Sequence, residues 1–237
     1  MKNDFELLNA WFEEASIDTV LTHFLQTYKG RIALASSYGA EDQVLTDMIV
    51  KIDPISKIFS LDTGRLPEET YALMDQTNRK YGIRAEVFFP DETALEALYK
   101  QQGINGFRES IENRKMCCQV RKLDPLRRAL SGLEVWITGL RRSQSPTRET
   151  MQLVEWDEAN ALIKLNPLIE WSEEMVWDYI KKHKVPYNVL HDQGYPSIGC
   201  APCTRAIREG EDLRAGRWWW ENPEHKECGL HLKKEKQ

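Results

Sequence analysis

The sequence lacks long hydrophobic runs and an excess of positive charge. No apolar stretch approaches the roughly 18 residues that a membrane-spanning helix needs, so we expect no membrane partner. The first 16 residues, MKNDFELLNAWFEEAS, mix acidic residues into an amphipathic pattern that is unlike a secretory signal. The net charge of −5 argues against non-specific binding to nucleic acid, which needs a basic surface.

Cysteine is scarce and odd in number. Five cysteines in 237 residues count against a framework of disulfides. Together with the N-terminal pattern, this predicts a soluble, cytoplasmic protein, in which thiols stay reduced unless they are catalytic or bind metal. The pattern leaves the oligomeric state open, a homo-oligomer included.

What the chain does have is a core and a strand–helix alternation. Hydrophobic residues make up 41% of it, enough for one large domain. Short apolar runs alternate with helical patterns, which predicts an α/β fold with a doubly wound parallel sheet. The runs that we interpret as strands are RIALASS (31–37), KIFSLDTG (57–64), RAEVFFP (84–90), EVWIT (134–138) and ALIKLNPLIEW (161–171).

The character of the sequence changes near residue 190. We predict an α/β nucleotide-binding domain over 1–190 and a C-terminal segment over 191–237, whose charged tail from residue 204 lies over the domain. Within the first part, residues 106–130 read as a helix interrupted near Pro125.

Three predicted strands end in loops suited to an anion. Ligands of open parallel sheets bind at the carboxyl ends of the strands, where hydroxyls, backbone N–H groups and arginines can hold a phosphate. An ordinary loop followed by a helix cap would explain any one of these loops, but three at one edge favour a nucleotide site. The predicted substrate-binding residues are Ser36, Ser37, Gly39, Asp62, Thr63, Arg65, Arg141 and Arg142.

The cysteines form a more specific pattern. Cys117 and Cys118 are adjacent, and Cys200 and Cys203 have a C-x-x-C spacing. Four thiolates are the usual ligand count of zinc or of a [4Fe–4S] cluster. Adjacent helical residues point about 100° apart, which suits a bulky cluster at a kink better than one small ion. The alternative is that the adjacent pair are simply buried apolar residues.

The remaining candidates lie in the tail. Cys228 has cationic neighbours, which lower a thiol pKa and favour a nucleophile, although an incidental thiol is the alternative. Arg214 and Arg217 are three residues apart, so one helical face could present both to a multi-oxygen anion. Ordinary surface salt bridges would explain the same spacing. We expect the three tryptophans at 218–220 to anchor the tail by packing.

Four motifs in this order, KMCCQVRK, GCAPCTR, RAGRWWWE and ECGLH, resemble those of the assimilatory sulfonucleotide reductases, most closely the iron–sulfur adenylyl-sulfate reductases. The resemblance covers nearly the whole chain. It implies an adenine-nucleotide alpha-hydrolase-like fold and a [4Fe–4S] cluster on Cys117, Cys118, Cys200 and Cys203.

The resemblance also implies an activity: thioredoxin-dependent reduction of adenosine 5'-phosphosulfate (APS) to sulfite and AMP, in sulfate assimilation towards cysteine. Cys228 would attack the sulfur and form an S-sulfocysteine, which thioredoxin would then reduce. Lys122, Arg214 and Arg217 would neutralise the anionic oxygens.

Several alternatives stay open. The related reductases of the 3'-phosphorylated nucleotide often lack the four cysteines, and some cluster-bearing members accept both nucleotides. The first loop, SYGAED, is similar to the S-G-G-x-D-S loop of ATP pyrophosphatases, but Glu41 and Asp42 disfavour a triphosphate and hence a tRNA-thiolating enzyme. A zinc-stapled binding module, without a reactive thiol, is a further class.

Overall fold

A computed structural model of the chain describes residues 2–145 and 148–222. The helices are α1 (Lys2–Trp11), α2 (Ile17–Thr27), α3 (Ala40–Ile52), α4 (Glu68–Tyr81), α5 (Glu92–Gln102), α6 (Ile111–Cys118), α7 (Asp124–Leu130) and α8 (Glu173–His183). The strands are β1 (Ile32–Ala35), β2 (Lys57–Leu61), β3 (Glu86–Phe88), β4 (Val135–Ile137), β5 (Val154–Asp157) and β6 (Leu162–Leu165).

The six strands form one sheet in the order β3-β2-β1-β4-β6-β5. β1 pairs in parallel with β2 and β4, and β4 pairs in parallel with β6. The order of the strands reverses between β1 and β4, which is where open α/β sheets bind ligands. The predicted α/β class with a mainly parallel sheet is therefore confirmed.

Two details of the predicted sheet are wrong. β5 was not predicted, and it pairs antiparallel with β6 at the edge. Its sequence, VEWD, alternates apolar and acidic residues, as suits an edge strand with one covered face. The run 161–171 supplies only four strand residues, since the backbone leaves the sheet before Pro167.

The chain packs as two compact units. The first comprises residues 1–59, 73–86 and 132–188, and the second comprises 60–72, 87–131 and 189–237. The predicted boundary at residue 190 stays a prediction, but the packing joins the C-terminal segment to two earlier stretches of chain.

Unit 1 holds the main apolar core. Side chains from α2, α3 and α8 pack with those of β1, β4 and β6, and Leu21, Val44 and Ile137 are fully buried among them. Ser16 caps the N-terminus of α2 and Ser172 caps that of α8, each with its side-chain oxygen accepting a backbone N–H of the first turn. Among the described residues, no helix is long and apolar enough to cross a membrane.

Unit 2 contains the interruption of the predicted helix 106–130. α6 ends at Cys118, a π-helical turn covers Gln119–Leu123, and α7 follows. The interruption therefore lies before Pro125 and not at it. Pro125 lies in the first turn of α7, where a backbone N–H has no acceptor within the helix, so the proline is tolerated there. Such π turns are frequent at functional sites.

Candidate active site

The loop after β1 is closed by Asp42. The Asp42 carboxylate accepts hydrogen bonds from Ser37 N at 2.6 Å and from Ser37 Oγ at 2.7 Å. Tyr38 between them has a φ of 59°, in the left-handed region that a bulky residue seldom adopts. Burial raises the pKa of Asp42 to about 6. The loop of Ser36, Ser37 and Gly39 is thus a preformed turn at the start of α3.

The loop after β4 contacts the loop after β1, and both belong to unit 1. A Cβ added to Gly139 would lie 2.3 Å from Asp42 Oδ1, so only glycine allows this approach. Arg141 is buried, and its Nε donates to Glu41 Oε1 at 2.7 Å. The two loops that flank the reversal of strand order are therefore joined by a glycine contact and an ion pair.

Arg142 is directed to other acceptors. Its Nη2 lies 2.5 Å from Glu170 Oε1, and its Nη1 donates to the carbonyl of Glu149. The substrate-binding role proposed for Arg141 and Arg142 stays a prediction, but their surroundings differ: Arg141 is linked to the first loop and Arg142 is not.

The loop after β2 belongs to unit 2. Asp62 is buried and accepts hydrogen bonds from Tyr71 Oη at 2.9 Å and from the Gly64 N–H at 2.7 Å. Thr63 is also buried, and its Oγ1 lies 3.3 Å from Cys200 Sγ. The Arg65 carbonyl accepts the Ala201 N–H at 2.8 Å. This loop is therefore bonded to the C-x-x-C motif.

The four predicted ligand cysteines are brought together. Cys117 and Cys118 are the last two residues of α6, immediately before the π turn. Cys200 immediately precedes the short 3₁₀ helix Ala201–Cys203, and Cys203 is the last residue of that helix. All four are free thiols. They line one open cavity of unit 2 with an empty volume of about 380 Å³. Its lining consists of Arg65, Phe107, Arg114, Cys117, Cys118, Arg121, Lys122, Cys200, Cys203, Arg217 and Trp218.

The cavity is rich in cations and contains no acidic residue in its lining. Burial by itself raises the pKa of Cys200, but the charge of Lys122, the Thr63 hydroxyl and the charge of Arg217 together lower it below its ordinary value. Burial and the neighbouring Cys200 raise the pKa of Cys203 to about 12. Four thiols facing five cations suit an anionic occupant.

The donor set fits a four-iron cluster. Over residues 2–145 and 148–222, no three histidine, cysteine or acidic side chains converge closely enough to hold a single metal ion. A [4Fe–4S] cluster makes a different demand, because each of its four irons takes its own thiolate. Free thiols spread around one cavity meet that demand.

The tail residues differ from their prediction. No helix contains Arg214 and Arg217; Arg217 N donates to the Arg214 carbonyl in a turn, and Arg217 forms a bridge with Thr204. The proposed common helical face is therefore wrong, because a strand-like bridge ends the turn. Arg217 lies in the cavity lining, which does not include Arg214.

Trp218 is the packing anchor that was predicted. It is fully buried, and its backbone N–H donates to the Cys203 carbonyl at 3.1 Å. Trp219 is partly exposed. The tail up to residue 222 is thus built into unit 2, whereas Cys228 lies outside the described residues.

Sequence reasoning assigned no role to two arginines of the cavity lining, Arg114 and Arg121, or to Tyr99, which contacts Arg121. Arg121 is buried, donates to the Thr63 carbonyl, and donates to Tyr99 Oη at 2.6 Å. Arg114 is buried in a bidentate pair with Glu221. The sequence signal that could have identified both arginines is the basic segment RKMCCQVRK, in which each lies within four residues of a proposed ligand cysteine.

Comparisons with known proteins identify the family to which the chain is similar. Residues 31–206 match the family model described as the phosphoadenosine phosphosulfate reductase domain. The chain is 57% identical to adenosine 5'-phosphosulfate reductase of Allochromatium vinosum, over 84% of this chain and 78% of that one. It is 45% identical to the protein of that name from Agrobacterium fabrum, over 94% and 89%.

Solved structures give the same picture of the fold. Phosphoadenylyl-sulfate reductase of Candida auris, in a phosphate complex, superimposes with a TM-score of 0.76 and 27% identity over 87% of this chain and 98% of that one. NAD synthetase of Campylobacter jejuni, at 10% identity and a TM-score of 0.52, covers 76% and 75% and shares the fold alone. The predicted adenine-nucleotide alpha-hydrolase-like fold is confirmed.

Proposed function

The chain belongs to the phosphoadenosine phosphosulfate reductase domain family, and we propose that it reduces APS to sulfite and AMP. The observation that carries this proposal is the convergence of Cys117, Cys118, Cys200 and Cys203 on one cation-lined cavity. Relatives at 45–57% identity carry the name adenosine 5'-phosphosulfate reductase, which supports the unphosphorylated nucleotide as the substrate.

We place a [4Fe–4S] cluster on these four cysteines. When bound, the cluster supplies a fixed charge and a fixed distance between α6 and the C-x-x-C motif. The electrons of the reaction come from a dithiol, so the cluster needs no change of redox state.

The nucleotide part of the substrate is assigned to unit 1. Backbone N–H groups at the start of α3 and the Arg141 guanidinium flank the point where strand order reverses. The Ser37 N–H is already bonded to Asp42, so part of the donor capacity of this loop is taken up by a carboxylate. That contact disfavours a triphosphate and hence the ATP-dependent tRNA-thiolating alternative.

We propose that Lys122 and Arg217 neutralise the oxygens of the sulfate. Lys122 and Arg217 both act electrostatically on Cys200 and Cys203, so both charges face the cavity. Opposite charges near the sulfate oxygens would offset the repulsion that an attacking thiolate meets. Arg65 joins them in the lining.

Cys228 is proposed as the nucleophile. Its thiolate forms a bond to the sulfur of APS while the bond from sulfur to the phosphate oxygen breaks, and AMP leaves with the electron pair. A thiolate of reduced thioredoxin then attacks Cys228 Sγ and releases sulfite. The second thiol of thioredoxin resolves the mixed disulfide, so the dithiol supplies both electrons. This chemistry needs a reducing compartment, and we infer a cytoplasmic location.

The experiment is sulfite release from APS and from its 3'-phosphorylated form, with reduced thioredoxin, by anaerobically purified protein. We expect kcat/KM to favour APS, and we expect about four irons and four labile sulfides per chain, the content of one [4Fe–4S] cluster. A clear preference for the 3'-phosphorylated nucleotide would favour the second candidate, to which the Candida auris likeness points. Release of sulfite from neither nucleotide would contradict both.

A further inference from the structure

We infer that Arg114 is a positioning residue that ties the ligand cysteine Cys118 to the root of the segment carrying Cys228. The inference rests on the proposed function, since its test follows the sulfonation of Cys228. Arg114 lies in α6, one helical turn before Cys118. Glu221 lies seven residues before Cys228.

The pair formed by Arg114 and Glu221 is bidentate and buried. Arg114 Nε and Nη2 each lie 2.9 Å from a different oxygen of Glu221. The two side chains are only 1% and 4% exposed. Two parallel hydrogen bonds fix the distance and the plane of both groups, which a single contact would not do.

Arg114 also reaches the ligand site. It hydrogen-bonds the side chain of Cys118 and, with it, lines the cavity. One guanidinium therefore contacts a proposed cluster ligand on one side and a tail carboxylate on the other. Arg114 therefore couples the position of Cys118 to the position of Glu221.

Trp218 completes the connection. The Arg114 guanidinium lies 4.8 Å from the centre of the Trp218 ring, and that of Arg217 lies at the same distance. The Glu221 N–H donates to the Trp218 carbonyl at 2.8 Å. Hence the pair that holds Glu221 also fixes Trp218 and its neighbour Arg217, one of the cations assigned to the sulfate.

A buried ion pair is a weak source of stability, because desolvation of both charges offsets their attraction. The Arg114–Glu221 pair therefore matters more for the positions of the groups that it joins than for the stability of the fold. The chain contains a matched pair for comparison: Arg205 is bidentate to Glu211 at 2.7 and 2.9 Å. That pair is about one-third exposed, and neither residue lines the cavity.

The test compares Glu221→Gln with Glu211→Gln. Glutamine keeps the shape but loses the charge, so we expect Glu221→Gln to slow sulfonation of Cys228 by APS about tenfold in a single turnover without reductant. Iron content should stay at the wild-type level. Trypsin cleavage after Arg217, which is buried in the wild type, should accelerate at least fivefold, on the order expected for loosened burial. Glu211→Gln should change the sulfonation rate and this cleavage less than twofold.

A double variant, Arg114→Met with Glu221→Leu, separates positioning from stability. Apolar replacement of a whole buried pair usually preserves stability, so the melting temperature should stay near the wild-type value. Sulfonation of Cys228 should remain slow, because Cys118 and the tail root are no longer joined.

Two results would overturn the inference. One is a double variant with both the melting temperature and the sulfonation rate of the wild type. The other is a Glu221→Gln protein that trypsin cleaves after Arg217 at the same rate as Glu211→Gln. The cleavage assay needs no substrate. A wild-type protein inactive on APS would therefore contradict the proposed function, and the cleavage comparison would still test the role of Arg114.

Discussion

The hydroxyl oxygen of Tyr99 accepts a 2.6 Å hydrogen bond from Nη2 of Arg121. It also accepts one from Nη2 of Arg65 at 3.3 Å. Burial raises the pKa of Tyr99, but the hydrogen bond from Arg65 and the charge of Arg121 outweigh burial and lower that pKa. Both arginines line the cavity and lower the pKa of Cys117 against the larger, opposite effect of its burial. The Tyr99 hydroxyl thus orients two of the cations that line the cavity, Arg65 and Arg121.

Tyr99→Phe should remove this link and retain the ring, which lies 5.3 Å from the Arg121 guanidinium. Hydrogen bonds to charged groups contribute roughly 1.5–3 kcal/mol, so we expect kcat/KM for APS to fall about tenfold or more. Iron content should not change. Steady-state sulfite release and iron analysis measure both.

Tyr28→Phe is the control for this change. Its ring also faces an arginine, Arg31, at 5.8 Å, but it lies at the end of α2 in unit 1. We expect kcat/KM within twofold of the wild type, as is usual for a change away from the site. Equal losses in both variants would show that the Tyr99 hydroxyl has no particular role.

Cys118→Ser should abolish both the brown colour and the activity. Serine is a poor iron ligand, and Cys118 is one of four thiols around the cavity. The colour of the purified protein and iron analysis report the result. Cys228→Ser is the matched control, because it changes the same atom outside the ligand set and should keep the iron. Full iron and turnover in Cys118→Ser would show that this ligand is misassigned.

Asp42 predicts a dependence of stability on pH. Its folded-state pKa is raised to about 6 from 3.8, so the folded protein holds the proton more tightly than the unfolded chain. The resulting stabilisation is fully present below pH 3.8 and is lost as pH rises through 6. Asp42→Asn keeps an acceptor for Ser37 and cannot ionise.

The stability of wild type relative to Asp42→Asn should therefore fall as pH rises from 4 to 7. Two pKa units correspond to on the order of 3 kcal/mol for this buried group. Melting temperatures of both proteins, measured across that range, give the difference. A difference that stays constant between pH 4 and 7 would refute the shifted pKa.

Local patterns were enough to predict five strands and the four thiols. β1, β2 and β4 are short apolar runs that end in small or polar residues, and burial on both faces requires such runs. The convergence of Cys117, Cys118, Cys200 and Cys203 on one cavity was predictable, because two adjacent cysteines and a C-x-x-C spacing are typical of metal or cluster ligands.

Long-range pairing was beyond the reach of the sequence. Arg114 and Glu221 are 107 residues apart, and nothing in either local segment identifies the other. The tail arginines show the opposite error: a spacing of three is compatible with a helix, but the bridge between Thr204 and Arg217 determines the backbone there. β5 was missed because its acidic residues, Glu155 and Asp157, resemble a loop until the partner strand is known.

The covalent intermediate gives the most direct test of the account. Wild-type protein mixed with APS in the absence of thioredoxin should gain the mass of one SO₃ group, about 80 Da, as covalent catalysis by a thiolate requires. Peptide mapping should place that mass on Cys228, and reduced thioredoxin should remove it as sulfite. A stable adduct on Cys200 or Cys203, or normal sulfite release by Cys228→Ser, would contradict the mechanism.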